Sequence, residues 1–157
     1  MVGVMPQPKA DRPYIPDYGI PTSSKGTLPY DHVTDRLASA RNYWVSTARP
    51  DGRPHAVPTW GVWLDGAIYF GGGTRTRKAR NLKANPNVVV HTESGDEVVI
   101  IEGEAEPVTD EAEQTRVDDA YEAKYDMRHG PTVWRVTPRV AFGWSNFPDT
   151  VTRWTFR

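Results

Sequence analysis

The sequence predicts a mainly β fold with a few helices, and three observations carry that prediction. Thirteen glycines and fourteen prolines punctuate 157 residues, too many interruptions for a helix bundle. Between them recur short runs rich in β-branched and aromatic residues. Two of the interruptions, Asp51-Gly52 and Asp65-Gly66, are strong hairpin-turn signals.

Residues 1–27, MVGVMPQPKADRPYIPDYGIPTSSKGT, hold five prolines and no periodic apolar pattern, which predicts an extended proline-rich arm without helix or strand. Its Tyr14, Ile15, Tyr18 and Ile20 leave open whether it frays or packs along the body. Residues 28–157 form the predicted folded domain. Pro29 and Asp31 open a short helix in which Val33, Leu37 and Ala40 recur at helical spacing. NYWVSTAR, HAVPTWGVW and AIYFGG then predict three strands in an antiparallel meander. Gly71, Gly72 and Gly73 end the third strand, and Thr74 is a good N-cap for a helix over residues 75–84 that stops before Pro86. NVVVHTE and DEVVIIEGEAEPV predict two further strands. The second turns Glu102, Glu104 and Glu106 outward and Ile101, Gly103 and Ala105 inward. Residues 110–126 read as an amphipathic helix with Asp110 and Glu113 as a capping pair and Val117, Ala120, Tyr121 and Tyr125 on one stripe. VWRVTPRVAFGW and TVTRWTF close the chain as two more strands, and no internal repeat is present.

Composition excludes several classes of function. With 19 basic and 20 acidic residues the formal net charge is −1, so the chain as a whole has no electrostatic reason to bind nucleic acid or an anionic membrane. Cysteine is absent, which removes disulfides, thiolate zinc sites and cysteine nucleophiles and fits a reducing compartment. No apolar run approaches the roughly 20 residues of a bilayer span, and the N-terminus lacks a secretory signature; the expected location is cytoplasmic. His32, His55, His91 and His129 show no chelating spacing, so no metal site is expected. His55 and His91 fall on predicted strands as barrel residues. The serines lack a nucleophile elbow, and Asp118, Asp119 and Glu122 read as a solvated helix face.

One local pattern carries chemistry. Between Gly66 and Thr92 no acid occurs, yet Arg75, Arg77, Lys78, Arg80 and Lys83 crowd onto one short helix. A helix N-terminus carries roughly half a positive charge and favours acids, so cations there cost about 0.3–1 kcal/mol each. Arg75, Arg77 and Lys78, behind three glycines and two threonines, therefore invite an anion, and phosphate suits the donors present: backbone N–H groups, hydroxyls, a guanidinium and an ammonium. The competing explanation is a solvated face balanced by the thirteen acids between Glu93 and Asp126; surface pairs contribute only about 0–1 kcal/mol and do not require cations at the first turn. The segment is neither a dinucleotide fingerprint nor a P-loop, since GGGTRTRKA lacks both spacings.

RPHAVPTWGVWLDGAIYF, GGGTRTRKARNLKANPNVVV and IIEGEAEPV, following a short helix, resemble the pyridoxamine 5′-phosphate oxidase-like split β-barrel superfamily. Within it the chain is similar to the actinobacterial flavin/deazaflavin oxidoreductases, the branch that includes users of coenzyme F420; Thr152-Arg153-Trp154 looks like the tail of that branch. The resemblance covers about residues 28–157. It implies an antiparallel, FMN-binding-like split barrel and a homodimer with two cofactor sites at the subunit interface. It also implies that Arg77 and Lys78 hold the cofactor phosphate while Val57, Pro58, Thr59 and Trp60 lie along the tricyclic ring. Beside these, Gly72 and Gly73 admit the ligand, Thr74 and Thr76 are expected to hydrogen-bond the phosphate, and Arg75 and Arg80 to meet an acidic tail. The expected function is hydride transfer from reduced F420 to a small conjugated organic acceptor, with no catalytic acid or base nominated. The alternatives are an FMN-dependent oxidase or reductase on the same fold, a non-catalytic deazaflavin carrier and, more remotely, a haem binder using His55 or His91. Six tryptophans suit interfaces and ring stacking as well as the core, and Pro58 is expected to break its strand and free backbone groups for a ligand.

Overall fold

The computed structural model describes residues 7–156. Along the chain run β1 (Lys9–Asp11), α1 (Asp31–Ser39), β2 (Tyr43–Ala48), β3 (Pro54–Thr59), β4 (Gly61–Leu64), β5 (Ala67–Gly71), α2 (Arg77–Ala84), β6 (Asn87–His91), β7 (Val98–Pro107), α3 (Glu111–Tyr125), β8 (Val133–Trp144) and β9 (Thr152–Thr155). Every strand pair is antiparallel. The strand order is β1-β9-β8-β7-β6-β2-β3, with β5 joining β8 and β4 joining β5. Strand β8 produces the split. One edge pairs with β7 along its length, while the other pairs first with β5 and then, beyond Thr137, with β9. Where the register of β7 and β8 shifts, Gly103 lets the strands close, because a Cβ there would strike the Thr137 carbonyl.

Alternation decides the faces of the sheet. The cross-strand row Val57, Val45, Val90, Ile101, Ala141, Trp154 faces inward, and all but Val57 are at most 1% exposed. Val33 and Leu37 of α1 and Leu82 of α2 complete this core, each large apolar side chain contributing about 1.5–3 kcal/mol on burial. A second cluster joins Val62, Tyr69 and Val133 to Val117 and Tyr121 of α3. The expected acid-out alternation of β7 holds. Asp110 caps α3 by accepting from the Glu113 N–H at 2.8 Å, and Val117 and Tyr121 are buried while Ala120 and Tyr125 pack beside them.

Three expectations need correction. The arm is not without strand: β1 pairs with β9, Asp11 accepts two hydrogen bonds from Arg153, and Arg12 donates to the carbonyls of Ser23, Lys25, Asp149 and Val151. Proline density hid a three-residue pairing fixed by a partner more than 140 positions away. The meander is two hairpins, because HAVPTWGVW divides at Trp60 into β3, which pairs with β2, and β4, which pairs with β5. Helix α2 begins at Arg77, and its cap is Thr76, whose hydroxyl accepts from the Ala79 N–H at 3.2 Å, in place of Thr74. Among the described residues, no helix is long and apolar enough to cross a membrane, and no group of three or more His, Cys, Asp or Glu side chains is placed to hold a metal ion.

Candidate functional site

Lys78 sits in the first turn of α2, and the amphipathic spacing that buries Ala79 and Leu82 draws its stem inward. The residue is 7% exposed. Its ammonium stands 5.0 Å over the Phe70 ring, and neither a hydrogen-bond acceptor nor a carboxylate accompanies it among the described residues. Burial pushes its pKa down to about 8. Gly72 makes room for the stem: a Cβ there would stand 2.9 Å from the Lys78 Cε. The N–H groups of Arg77 and Lys78 precede the first intrahelical acceptor, and the chain supplies no other backbone partner for them among the described residues. The Thr76 hydroxyl is engaged, donating to the Gly73 carbonyl at 2.8 Å while capping the helix. Gly73, Thr74, Arg75 and Arg80 are exposed.

The acids between Glu93 and Asp126 do not neutralise these cations. Among the described residues they pair with Arg36, Arg128 and Arg135, and none of Arg75, Arg77, Lys78, Arg80 and Lys83 belongs to an ion pair. The positive potential is felt on the neighbouring strand. His55, on β3, is held below the usual histidine range by burial and then by the charges of Arg49, Arg77 and Lys78, and its Nδ1 is buried without a partner. Opposite His55 in the ladder, the Thr47 hydroxyl accepts from the Asn81 side chain of α2 at 2.9 Å, tying the helix to the sheet. His55 read as an ordinary barrel residue because nothing in its own sequence neighbourhood reports the helix that packs over it.

Strand β3 forms the other wall. It is an edge strand, so Pro58 interrupts no ladder and pairs with Trp44; the expected break at Pro58 lies instead at Trp60. The backbone groups exposed by that break are taken up by α3. Tyr121 donates to the Trp60 carbonyl at 3.1 Å, and Lys124 and Tyr125 each donate to the Gly61 carbonyl at 2.8 Å. The indole of Trp60 lies on the Tyr125 ring at 4.4 Å and 2°, with the Arg41 guanidinium 5.3 Å from its centre, yet remains 36% exposed. Gly61 is required at this crossing, since a Cβ would come within 2.7 Å of the Tyr69 carbonyl. Burial also depresses Lys124, to about 8.

Pro58, Thr59 and Trp60 open onto a cavity of about 590 Å³ that Asn42, Gly71, Tyr121, Met127 and His129 complete. Val57 lies one residue away on the inward face. The structure thus places two groups of expected residues on either side of the end of β5: Thr76, Arg77 and Lys78 by Gly72, and the β3 residues by Gly71. Asn42, Tyr121, Met127 and His129 were not anticipated. They arrive from distant segments, and only the helical stripe that placed Tyr121 inward gave any signal.

Fold and site together define a small antiparallel split barrel with an unneutralised cationic corner beside an aromatic cavity. The profile of the pyridoxamine 5′-phosphate oxidase family matches residues 30–145, and the chain belongs to that family. Among curated proteins, none matches it. Solved structures similar to it include the protein Rv2991 of Mycobacterium tuberculosis, at 25% identity and a TM-score of 0.64, over 76% of this chain and 86% of that one. An FAD-binding protein of Mesorhizobium loti is similar at 20% identity and a TM-score of 0.61, over 83% and 96%. A protein solved as an F420 reductase is similar at 22% identity and a TM-score of 0.55, over 68% and 93%. The last two likenesses establish a shared fold.

Proposed function

We propose that this chain is an oxidoreductase that binds a phosphorylated tricyclic cofactor, coenzyme F420, and reduces a small conjugated organic acceptor. The observation that carries this reading is Lys78, a buried residue whose ammonium has no anion beside it among the described residues, at a helix start whose first turn contains no acid. The donor types suit a phosphate dianion: the Lys78 ammonium, the Arg77 guanidinium and, among the described residues, the unpartnered N–H groups of Arg77 and Lys78 that open α2. When bound, the deazaflavin supplies the hydride. Lys78 and Arg77 would hold its phosphate, and the β3 residues 57–60 would carry the ring along the strand that ends at the aromatic cavity. Arg75 and Arg80, exposed and unpaired among the described residues, exceed what one phosphate requires and suit the acidic tail of F420, which favours it over FMN. Their solvent exposure gives each a modest, salt-sensitive share.

The homodimer belongs to the same proposal. On the outward face of the sheet, Pro58, Trp44, His91, Ile100 and Phe142 form one cross-strand row, and Trp44 stacks on His91 at 6.4 Å and 7°. This largely apolar row runs into the cavity through Pro58, so a second copy seated on it would stand beside the cofactor. Aromatic enrichment of this kind is typical of interfaces.

The test is an equilibrium titration of the protein with F420 and with FMN, repeated on Lys78→Ala and Arg77→Ala. Weakening of F420 binding by ~10-fold or more, about 1.4 kcal/mol, is expected from each substitution. Tighter binding of FMN than of F420 would move the assignment to the flavin, and tight F420 binding without oxidation by any acceptor would make the protein a carrier. Unchanged affinity in both variants would overturn the phosphate assignment.

A further inference from the structure

We propose that His55 is a further cofactor-binding residue, whose Nε2–H donates to the phosphate held by Lys78 and Arg77; this rests on the cofactor reading above. His55 lies two residues before Val57 on β3, so the two side chains share a face of the strand. A ring laid along residues 57–60 and a phosphate at the start of α2 put His55 at the phosphate end of that strand.

One hydrogen bond between helix and sheet sets this placement. Thr47 stands directly opposite His55 in the β2–β3 ladder, so their side chains share a face of the sheet with Cβ atoms about 4.5–5.5 Å apart. The Thr47 hydroxyl accepts from the fully buried Asn81 of α2 at 2.9 Å. Asn81 follows Arg77 by four residues and Lys78 by three, so all three lie on one side of the helix. The helix face that touches Thr47 therefore carries both cations to the neighbourhood of His55. Arg49 completes the surround: its guanidinium donates to the carbonyl of Pro54, next to His55 in the chain, at 2.8 Å. Among the described residues, the charged groups that act on His55 are these three cations, with no carboxylate among them.

The two ring nitrogens differ in access. Nδ1 is buried without a partner, whereas Nε2 is not closed off and the ring as a whole is half-buried. An imidazolium needs an N–H at both nitrogens, which would orphan the one at Nδ1 and set a positive charge beside Arg49, Arg77 and Lys78. Burial and those charges hold the ring below the usual histidine range, so it is neutral at pH 7. Its single proton belongs on Nε2, where solvent or a ligand can accept it, and Nδ1 keeps its lone pair. A phosphate seated at Lys78 receives from His55 a hydrogen bond that adds no further positive charge to a corner already crowded with it. His55 is a binding residue in this arrangement and takes no part in hydride or proton transfer.

F420 titrations and long-range ¹H–¹⁵N spectra test this together. In the cofactor-free protein at pH 7, Nε2 of His55 is expected to resonate as the protonated nitrogen and Nδ1 as the bare one. His55→Phe, which keeps a ring and removes the donor, is expected to weaken F420 binding ~5-fold or more. His55→Gln, whose amide can donate, is expected to restore most of that loss. Because the missing donor is neutral, the His55→Phe loss should be the same at low and high salt, whereas the Arg77→Ala loss should shrink as salt rises. Unchanged F420 affinity in both Lys78→Ala and Arg77→Ala would defeat the cofactor reading instead. With those losses present, the assignment of His55 is overturned by a His55→Phe loss below ~5-fold, by a His55→Gln loss as large as that of His55→Phe, by a loss that vanishes at high salt, or by a proton found on Nδ1.

Discussion

Replacing Lys78 with Met should stabilise the cofactor-free protein and weaken cofactor binding at the same time. Methionine matches the length and apolar bulk of the lysine stem, so it keeps the packing against Phe70 and removes only the buried charge. Burial lowers the lysine pKa from 10.5 to about 8, and at about 1.4 kcal/mol per unit this is an upper bound near 3.5 kcal/mol, which solvent screening reduces to roughly 1–3. The sign follows from linkage. Below pH 8 both states hold the proton and the folded state bears the full burial cost; between about pH 8 and 10.5 the unfolded chain binds a proton the folded chain has lost, so stability rises with pH. Lys124, depressed to about 8 as well, contributes a second rise in the same window. Denaturant unfolding at pH 7 should therefore show Lys78→Met more stable than the parent, with a Tm higher by about 2–4 °C for each kcal/mol and a smaller gain between pH 8 and 10.5. F420 affinity should fall ~10-fold or more. A variant that is less stable at pH 7, or that keeps the full alkaline gain, would refute the reasoning.

Other consequences follow from the same contacts. Lys124→Met should cost about 1–3 kcal/mol, because Tyr43 and the Gly61 carbonyl lose a donor, and combined with Lys78→Met it should abolish the alkaline gain in a pH series of urea melts. Arg12→Ala removes four hydrogen bonds, two that fold the arm on itself at the Ser23 and Lys25 carbonyls and two that pin it to Asp149 and Val151 in the β8–β9 connection; limited proteolysis should then cut within residues 12–27 well before the parent is cut. Gly71→Ala should destabilise by about 1–3 kcal/mol, since its methyl would displace the His129 ring, and the histidine ring signals should move while the far-UV circular dichroism spectrum stays the same.

What the sequence made legible was whatever neighbouring residues decide. The Asp-Gly turns, the glutamate alternation of β7 and the Asp110 cap depend on spacings of two or three residues, and each was readable. The cationic helix was readable too, because a missing acid is a local fact. Trp60 was harder. Its strand divides because Gly61 crosses over Tyr69 and three side chains of α3 capture the freed carbonyls, and those partners lie some sixty residues away. Distance along the chain likewise hid His129 and Met127 from any reading of spacing, and hid the β1–β9 pairing behind the prolines of the arm. Whether the α2 cations were balanced by the acidic stretch also depended on tertiary placement, since charge counts alone permitted it.

The central claim is tested most directly by a crystal structure of the protein grown with F420. The account predicts the phosphate within hydrogen-bond distance of the Lys78 Nζ and the Arg77 side chain, at the start of α2. A phosphate bound elsewhere, with the Lys78 corner filled by solvent alone, would contradict it.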